Sequence, residues 1–563
     1  MKLKRFNMKN ALVFRVPKHD AVPLFIIFIA VLFSTLMLPV NPWPIDGWFE
    51  TQYRLFGHFP GQDNYTPIAA PAVFYKIAHW ISRALQLDMA GEFYTASILQ
   101  NALLFLSGCF VFYSCQLMGM HRAAGATAIV FILFVLSTGL TQAFWSESTA
   151  LFLTSALLLL TIRLYSGHGG SPGRFFSMTV ISGVVLALLV ATRIVPILFI
   201  PALAMLFYQR ISNRQLLVYT VLVSLITALG LALMAGSNYE RFGRFELTNS
   251  SGKHLWQGVT PIVDRALSHS PEYQVLKAID TNIEGKPWWD TPDPQAIPEL
   301  GGISRERLLG QLAKEAIINE PWLYIKFGLK KFAQTVGEVP YQLGYGTKWK
   351  QFNPLNTEEF LPPIGESMLR LPAPLANGLR AILDSIWQVS RVLYPVAIFF
   401  VLTSWYAMYI RGIRLLPSRS IRIRTTESVI SLAKRKWGIP VFFVLGVLTS
   451  SGLAAFAYES GLFRKALVFG LCTVILVGQT RFLSTFTGSI GNPIEAEHKK
   501  VQGCMYTFLI VMFFGSMWVS WQLEFPNSRN VLPYLPLAAV MVALALSFWF
   551  PRSTAHVALE MGA

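Results

Sequence analysis

The chain has 563 residues, 53% of them hydrophobic and only 14% charged, with a mean hydropathy of +0.47. Soluble globular domains carry about 25% charged residues, so the composition excludes an ordinary soluble globule. The net charge of +17 invites nucleic-acid binding, but the cations are spread through short loops between apolar runs, which is the positive-inside pattern of a polytopic membrane protein.

The first nineteen residues hold six Lys or Arg and no acid, and the run Ala21–Val40 has about the length needed to span hydrocarbon. No small-residue cleavage site follows it, so it reads as an uncleaved first span with residues 1–20 in the cytoplasm. Further apolar runs follow at Phe93–Leu117, Ala124–Thr141, Ser148–Leu164, Phe176–Ala191, Ile194–Tyr208 and Leu216–Ala235. Others lie at Leu393–Ile410, Ile439–Tyr458, Ala466–Gln479, Met505–Leu523 and Val531–Phe550. That predicts an all-α polytopic membrane protein of about twelve spans. It divides into an N-terminal module (21–235), a polar outer segment (236–389), a C-terminal module (390–550) and a cytoplasmic tail (551–563). The loop Arg411–Trp437, with eight Lys or Arg against one Glu, falls inside under this orientation. Four segments then converge on the outer side: Asn41–Pro71, Gln142–Glu147, Gly236–Val389 and Gln522–Asn530.

Within the outer segment, Ser304 opens a helical stripe of Leu308, Leu309, Leu312, Ala313, Ala316 and Ile317. Pro321 stands in the first turn of a second helix reaching about Phe332. The remainder is proline-rich and irregular. The four cysteines (Cys109, Cys115, Cys472, Cys504) lie in or beside apolar runs without metal-like spacing and read as small buried residues.

The segment Asn41–Pro71 combines aromatics with Asp46, Glu50, Asp63 and Arg54, a mixture that needs partners or a task beside a membrane. Asp46, on a turn fixed by Pro44, is placed to act as a general base on a hydroxyl, or to cap a helix over Gly47–Leu55. Glu147 opens the span WSESTALFLTSALLLL, where an acid suits the helix dipole; with Asp46 it also makes two carboxylates that admit a shared divalent metal, though no spacing demands one. Arg193 interrupts LALLVATRIVPILFIPAL, so it faces a polar cavity, a phosphate or an acid, or snorkels to the interface. Arg529, in EFPNSRNVLPYLP, suits bidentate phosphate recognition, or pairing with Glu524. Lys253 and His254 follow a Ser/Gly-rich turn whose backbone N–H groups suit an anion. P-loop, HExxH and paired CxxC patterns are absent from the sequence, which leaves ATPase and zinc-protease readings without support.

These features, in this order, resemble the GT-C membrane glycosyltransferases. The likeness runs from the acid in the first outer loop through the proline-led helix at Pro71-Ala-Val-Phe-Tyr-Lys76-Ile, SESTALFL and ATRIVPILFIPAL. It continues through NYERFGRFELTNSSGKHLWQGVTP, SRERLLGQLAKEAIINEPWLYIKFGLKKF and the final NSRNVLPYLP, and it covers most of Ala21–Phe550. The flavour is that of bacterial aminoarabinose, protein O-mannosyl and lipopolysaccharide-decorating transferases of the cytoplasmic membrane. The resemblance implies interfacial helices in the first outer loop, a small periplasmic domain and a polyprenyl-phosphate sugar donor. It implies a glycolipid, glycan or protein acceptor. It also implies Asp46 as catalytic acid/base, Glu147 as a second active-site acid, and Arg193, Lys253 and Arg529 around the lipid phosphate. Many relatives carry two adjacent acids where this chain has Asp46-Gly47, and aminoarabinose transferases carry a Glu-Lys pair that the stretch before Pro71 lacks. Glu50 and Asp63 stand as replacement acids, and the acceptor stays open.

The rival readings are a glycolipid transporter or flippase, and a glycan ligase or polymerase. Transporters keep ionisable residues near the mid-plane of broken spans; here the carboxylates lie at the ends of spans, which favours an enzyme.

Overall fold

In a computed structural model the described residues are 18–40, 69–142, 146–166, 171–208, 210–242, 245, 251–286, 290–335, 361–369, 372–410, 467–468, 470–475, 477, 479, 493–523 and 528–549. Asp46, Glu50, Arg54, Asp63 and Glu524 lie outside them. Eight helices are long and apolar enough to cross a membrane, and two shorter apolar helices, Ala123–Ser137 and Val195–Phe207, accompany them. The chain is a polytopic integral membrane protein. These ten helices match ten of the twelve runs read from hydropathy. Ile439–Tyr458 lies outside the described residues, and only parts of Ala466–Gln479 are described.

In chain order the main helices are α1 (Lys18–Met37), α2 (Ala69–Ala84), α3 (Met89–Leu117), α4 (His121–Ser137), α5 (Ser146–Tyr165), α6 (Pro172–Thr192), α7 (Phe199–Phe207) and α8 (Asn213–Phe242). Then come α9 (Ser251–Val259), α10 (Pro271–Ile279), α11 (Arg305–Asn319), α12 (Pro321–Thr335), α13 (Ala373–Ile410), α14 (Pro493–Leu523) and α15 (Leu535–Trp549). No strand occurs among the described residues beyond one backbone bridge between Val40 and Leu361.

Cross-links at the two ends of the bundle set the alternation of the spans. At one end the Asp20 carboxylate of α1 accepts from Gln116 of α3 at 2.7 Å. There too the Gln502 amide of α14 donates to Met118 O at 2.9 Å, and Arg210 Nε donates to Tyr165 O at 3.2 Å. At the other end Val40 and Leu361 exchange backbone hydrogen bonds of 3.1 and 3.0 Å, and the Tyr94 hydroxyl donates to Pro362 O at 2.8 Å. This second end, the site end, therefore receives the C-termini of α1, α4, α6, α8 and α14 and the N-termini of α3, α5, α13 and α15.

Membrane burial removes water as a partner, so polar groups must be satisfied within the protein. Thr95, Ser107, Ser155, Ser182 and Thr192 each donate to the carbonyl four residues earlier, at 2.8 Å. Close helix approach needs small residues. A Cβ at Gly108 of α3 would meet Ile132 Cδ1 of α4 at 2.8 Å, so a side chain there would have to displace Ile132. The resulting core is continuous through α1, α3–α7, α14 and α15, with Phe112, Ile132, Leu186, Phe199, Tyr506, Phe513 and Val540 fully enclosed.

A second, separate core belongs to the segment from α9 to α12. Trp256, Val259, Leu267, Tyr273 and Leu276 enclose Leu308, Leu309, Leu312, Ala313 and Ala316 of α11. Ser304 is the N-cap of α11, and Pro321 is the first residue of α12, as the sequence stripe predicts. The span beginning at Leu393 differs: α13 starts at Ala373 and runs 38 residues. Arg380, Asp384, Gln388 and Arg391 lower the hydropathy of its first turns without breaking the helix, so the Val389 boundary falls inside it.

Candidate functional site

Glu147 and Arg193 meet at the site end. Helix α4 stops after Ser137, and Gly139 at φ 67° reverses the chain. A left-handed backbone costs glycine little. A 3₁₀ turn over Leu140–Gln142 follows, and α5 restarts at Ser146. Glu147 thus sits in the first turn of α5, where the positive end of the helix dipole favours a carboxylate. Arg193 is placed by a proline. The ring of Pro196 would clash with the carbonyl four residues earlier, that of Thr192, if α6 continued. The helix ends at Thr192, and Arg193 caps it in an extended conformation (φ −149°, ψ 127°). Its guanidinium Nη2 donates to Glu147 Oε1. The glutamate side chain is 1% exposed and the arginine 15%.

Next to Glu147 in the chain, Ser148 leads into a network of buried polar groups on α3 and the turn before α5. Ser148 Oγ donates to Gln100 Oε1 at 2.7 Å, Ser97 Oγ donates to Thr141 O at 3.2 Å, and Asn101 Nδ2 donates to Ser97 O at 3.0 Å. Gln100 Nε2, Asn101 Oδ1 and Thr141 Oγ1 are buried and have no partner among the described residues. Buried polar atoms are nearly always satisfied in native proteins, so three such atoms near a buried ion pair mark this end of α3 as built for polar contacts.

Helix α2 covers this network from the side. It exposes Trp80, Ile77 and Ile81 on one face and buries Tyr75, Ala78 and Ser82 on the other, the layout of an interfacial helix. The Tyr75 hydroxyl is held well above the usual tyrosine range, first by burial and then by the charge of Glu147; it stays a neutral group beside that carboxylate. One turn on, His79 Nδ1 lies 2.7 Å from Glu92 Oε1, which joins α2 to α3.

Of the residues singled out in the sequence, the structure brings Glu147 and Arg193 together. Lys253 and His254 sit elsewhere, in the first turn of α9. Its Ser/Gly turn does hold an anion, and the anion is the chain's own Glu306. The Glu306 carboxylate accepts from Gly252 N–H, and from Lys253 N–H at 3.2 Å. Burial pushes the Glu306 carboxyl up, opposed by those N–H groups and by the charges of Lys253 and His254; burial likewise pushes the Lys253 ammonium down, opposed by Glu306. Arg529 falls in the 3₁₀ turn Ser528–Tyr534 that leads into α15 at the site end. Among the described residues no three His, Cys, Asp or Glu side chains gather as a metal set. The guanidinium already neutralises Glu147, which disfavours a second cation beside it.

Sequence reasoning missed Tyr75, Gln100, Ser148 and Glu306. The signal for Gln100 was present, since Gln-Asn in the middle of ASILQNALLFL is costly in a span unless partnered.

No family model and no curated protein matches the chain. Among solved structures, an oligosaccharyltransferase of Archaeoglobus fulgidus, tethered through a disulfide to an acceptor peptide containing the NVT sequon, is similar at 12% identity and a TM-score of 0.32. The match covers 90% of this chain and 56% of that one, so the chain spans about half the length of that neighbour. A likeness this distant carries no argument about chemistry.

Proposed function

We propose that this chain is a GT-C-type membrane glycosyltransferase. It moves a sugar from a polyprenyl-phosphate donor to a hydroxyl of a lipid, glycan or protein acceptor at the outer face of the cytoplasmic membrane. The observation that carries this reading is the buried Glu147–Arg193 pair, at the bundle end where α1 terminates. A buried ion pair there is costly to build, and the planar fork of a guanidinium is suited in kind to a phosphate.

In the proposed reaction Asp46 removes the acceptor hydroxyl proton and the oxygen attacks the anomeric carbon from the face opposite the phosphate. The bond from that carbon to the phosphate oxygen breaks, and the lipid phosphate departs with the electron pair. The anomeric configuration inverts. Arg193, oriented by Glu147, stabilises the developing phosphate charge in a site poor in water. Tyr75 is a neutral hydrogen-bond donor at the same place. Arg529 and Arg54 are further candidates for the donor phosphate, Lys253 and His254 drop behind them because Glu306 occupies the anion position of their turn, and Glu50 and Asp63 are the alternative acids. The donor's lipid tail stays in the bilayer while its head reaches the site, which explains chemistry at a membrane face.

The test is Asp46→Asn with protein level matched to wild type, read by mass spectrometry of envelope glycolipids and by transfer in isolated membranes. Loss of a positioned general base is expected to lower transfer about 10²–10⁴-fold. Undiminished transfer by the variant would remove Asp46 from the mechanism. A missing hexose, pentose or amino sugar in cells lacking the protein names donor and acceptor together.

A further inference from the structure

Helix α12 ties the two cores together. Leu323, Tyr324 and Phe327 pack on the second core, and Phe332, near the other end of the helix, packs on the bundle core. The Phe332 ring meets Phe514 of α14 edge-on, with centroids 6.1 Å apart. Phe514 lies six residues inside the Ser520 end of the span Val501–Ser520. At 1.5 Å per residue that is about 9 Å below the end of the span. The C-terminal part of α12 therefore sits at membrane depth, and the helix rises from there toward the second core.

Its remaining face is apolar and uncovered. Trp322 is 80% exposed, and Ile325 and Leu329 are exposed as well. At 3.6 residues per turn these three form one stripe. Lys326 and Lys330, also exposed, line one flank of it, and α12 contains no acid. Trp at the rim of hydrocarbon, aliphatic residues below it and lysines reaching to the headgroups is the arrangement of a helix lying in a membrane interface.

We propose that α12 is a bilayer-docking helix: Trp322, Ile325 and Leu329 enter the membrane interface while Lys326 and Lys330 contact anionic lipid headgroups. The occupant is lipid because the same helix is already fixed to a membrane span at Phe514 and its exposed charge is purely positive. The dock holds the second core against the bilayer beside the site end of the bundle.

The test uses the full chain with Cys109, Cys115, Cys472 and Cys504 replaced, reconstituted in nanodiscs containing phosphatidylglycerol. Nitroxide labels are placed singly at Trp322→Cys, Ile325→Cys and Leu329→Cys, with His269→Cys on the exposed outer surface as control. Relaxation by oxygen over relaxation by a water-soluble nickel chelate is expected to be several-fold higher at the three stripe positions than at 269. Equal ratios at all four positions overturn the proposal, as does protection from both reagents, which means that a protein surface covers the stripe. Lys326→Glu with Lys330→Glu is expected to move the 322 label toward water in phosphatidylglycerol discs and to leave it unmoved in pure phosphatidylcholine discs. The same displacement in both lipids overturns the headgroup contact.

Discussion

The bundle and the second core treat charge in opposite ways. In the bundle the Glu147–Arg193 pair is enclosed, with a glutamate that is 1% exposed. In the second core, Lys277–Asp264 at 2.9 Å, Lys286–Asp280 at 2.6 Å and Arg265–Glu320 at 2.7 Å are all partly open to solvent. The Asp264 carboxyl sits below its ordinary range although burial pulls it upward, because Tyr273 and Lys277 together outweigh that pull; Asp280 is lowered chiefly by Lys286. Water makes such charges inexpensive and their pairing weak, whereas low dielectric makes an isolated charge intolerable and its pairing obligatory. A pair kept where it costs most is the one to examine for function.

Breaking that pair tests the contrast at its strongest. Removing one partner strands the other charge, so Glu147→Ala and Arg193→Ala are each expected to destabilise the protein by about 3–5 kcal/mol. The double variant should lose far less than the sum, as thermal unfolding in detergent across the four-member cycle will measure; additive losses would mean that the two side chains do not depend on each other. Arg193→Lys keeps the charge and loses the planar fork. It is expected to fold and to raise the KM for the lipid-phosphate donor. In the second core the largest effect comes from packing: Leu309, fully buried, replaced by Ala should cost about 2–5 kcal/mol. Hydrogen exchange should then quicken across 251–335 and leave α3 to α6 protected; quickening in both regions would show one cooperative unit instead of two.

Much of the scaffold was legible because hydropathy is a sum over many residues. Ten spans, the Leu308–Ala316 stripe and the Pro321 helix start all follow from local patterns. Glu147 and Arg193 were each conspicuous alone, as an acid and a cation in apolar surroundings. Their pairing was not, since 46 residues separate them and only the antiparallel register of α5 and α6 closes the gap. Tyr75 escaped notice because a tyrosine on an interfacial helix is unremarkable until its buried face is known. The first turns of α13 escaped for the opposite reason: Arg380 and Asp384 read as loop while the backbone stayed helical. At α9 the chemistry was readable and the ligand was not. The turn attracts an anion, and Glu306 from 54 residues away supplies it.

Lys331 gives the contrast a pH dependence. Its ammonium is buried and donates to Gln257 O at 3.4 Å and Gly258 O at 3.2 Å, at the C-terminal end of α9. Burial pushes it down to about 8 from an ordinary value of 10.5. Between those two pH values the unfolded chain binds more protons than the folded one, so the protein should gain stability as pH rises from about 8 toward 10.5. Below about 8 both states are protonated and the contribution is flat. In unfolding curves taken from pH 7 to 10, wild type should gain on Lys331→Met over that window. Parallel curves would place the titration on another group.

The smallest expected effect sharpens the comparison from the other side. Arg265 is 70% exposed and its partner Glu320 26%. Screening by water and the ordering of two long side chains leave such a pair worth about 0–1 kcal/mol. Arg265→Ala should therefore shift the unfolding midpoint marginally, and 0.5 M salt, with a Debye length well under the roughly 8 Å of physiological buffer, should erase what shift there is. The Glu147–Arg193 cycle, shielded from solvent, should keep its coupling in the same salt. If the exposed pair proved as strong and as salt-resistant as the buried one, the difference in environment between bundle and second core would not be what sets the strength of their ion pairs.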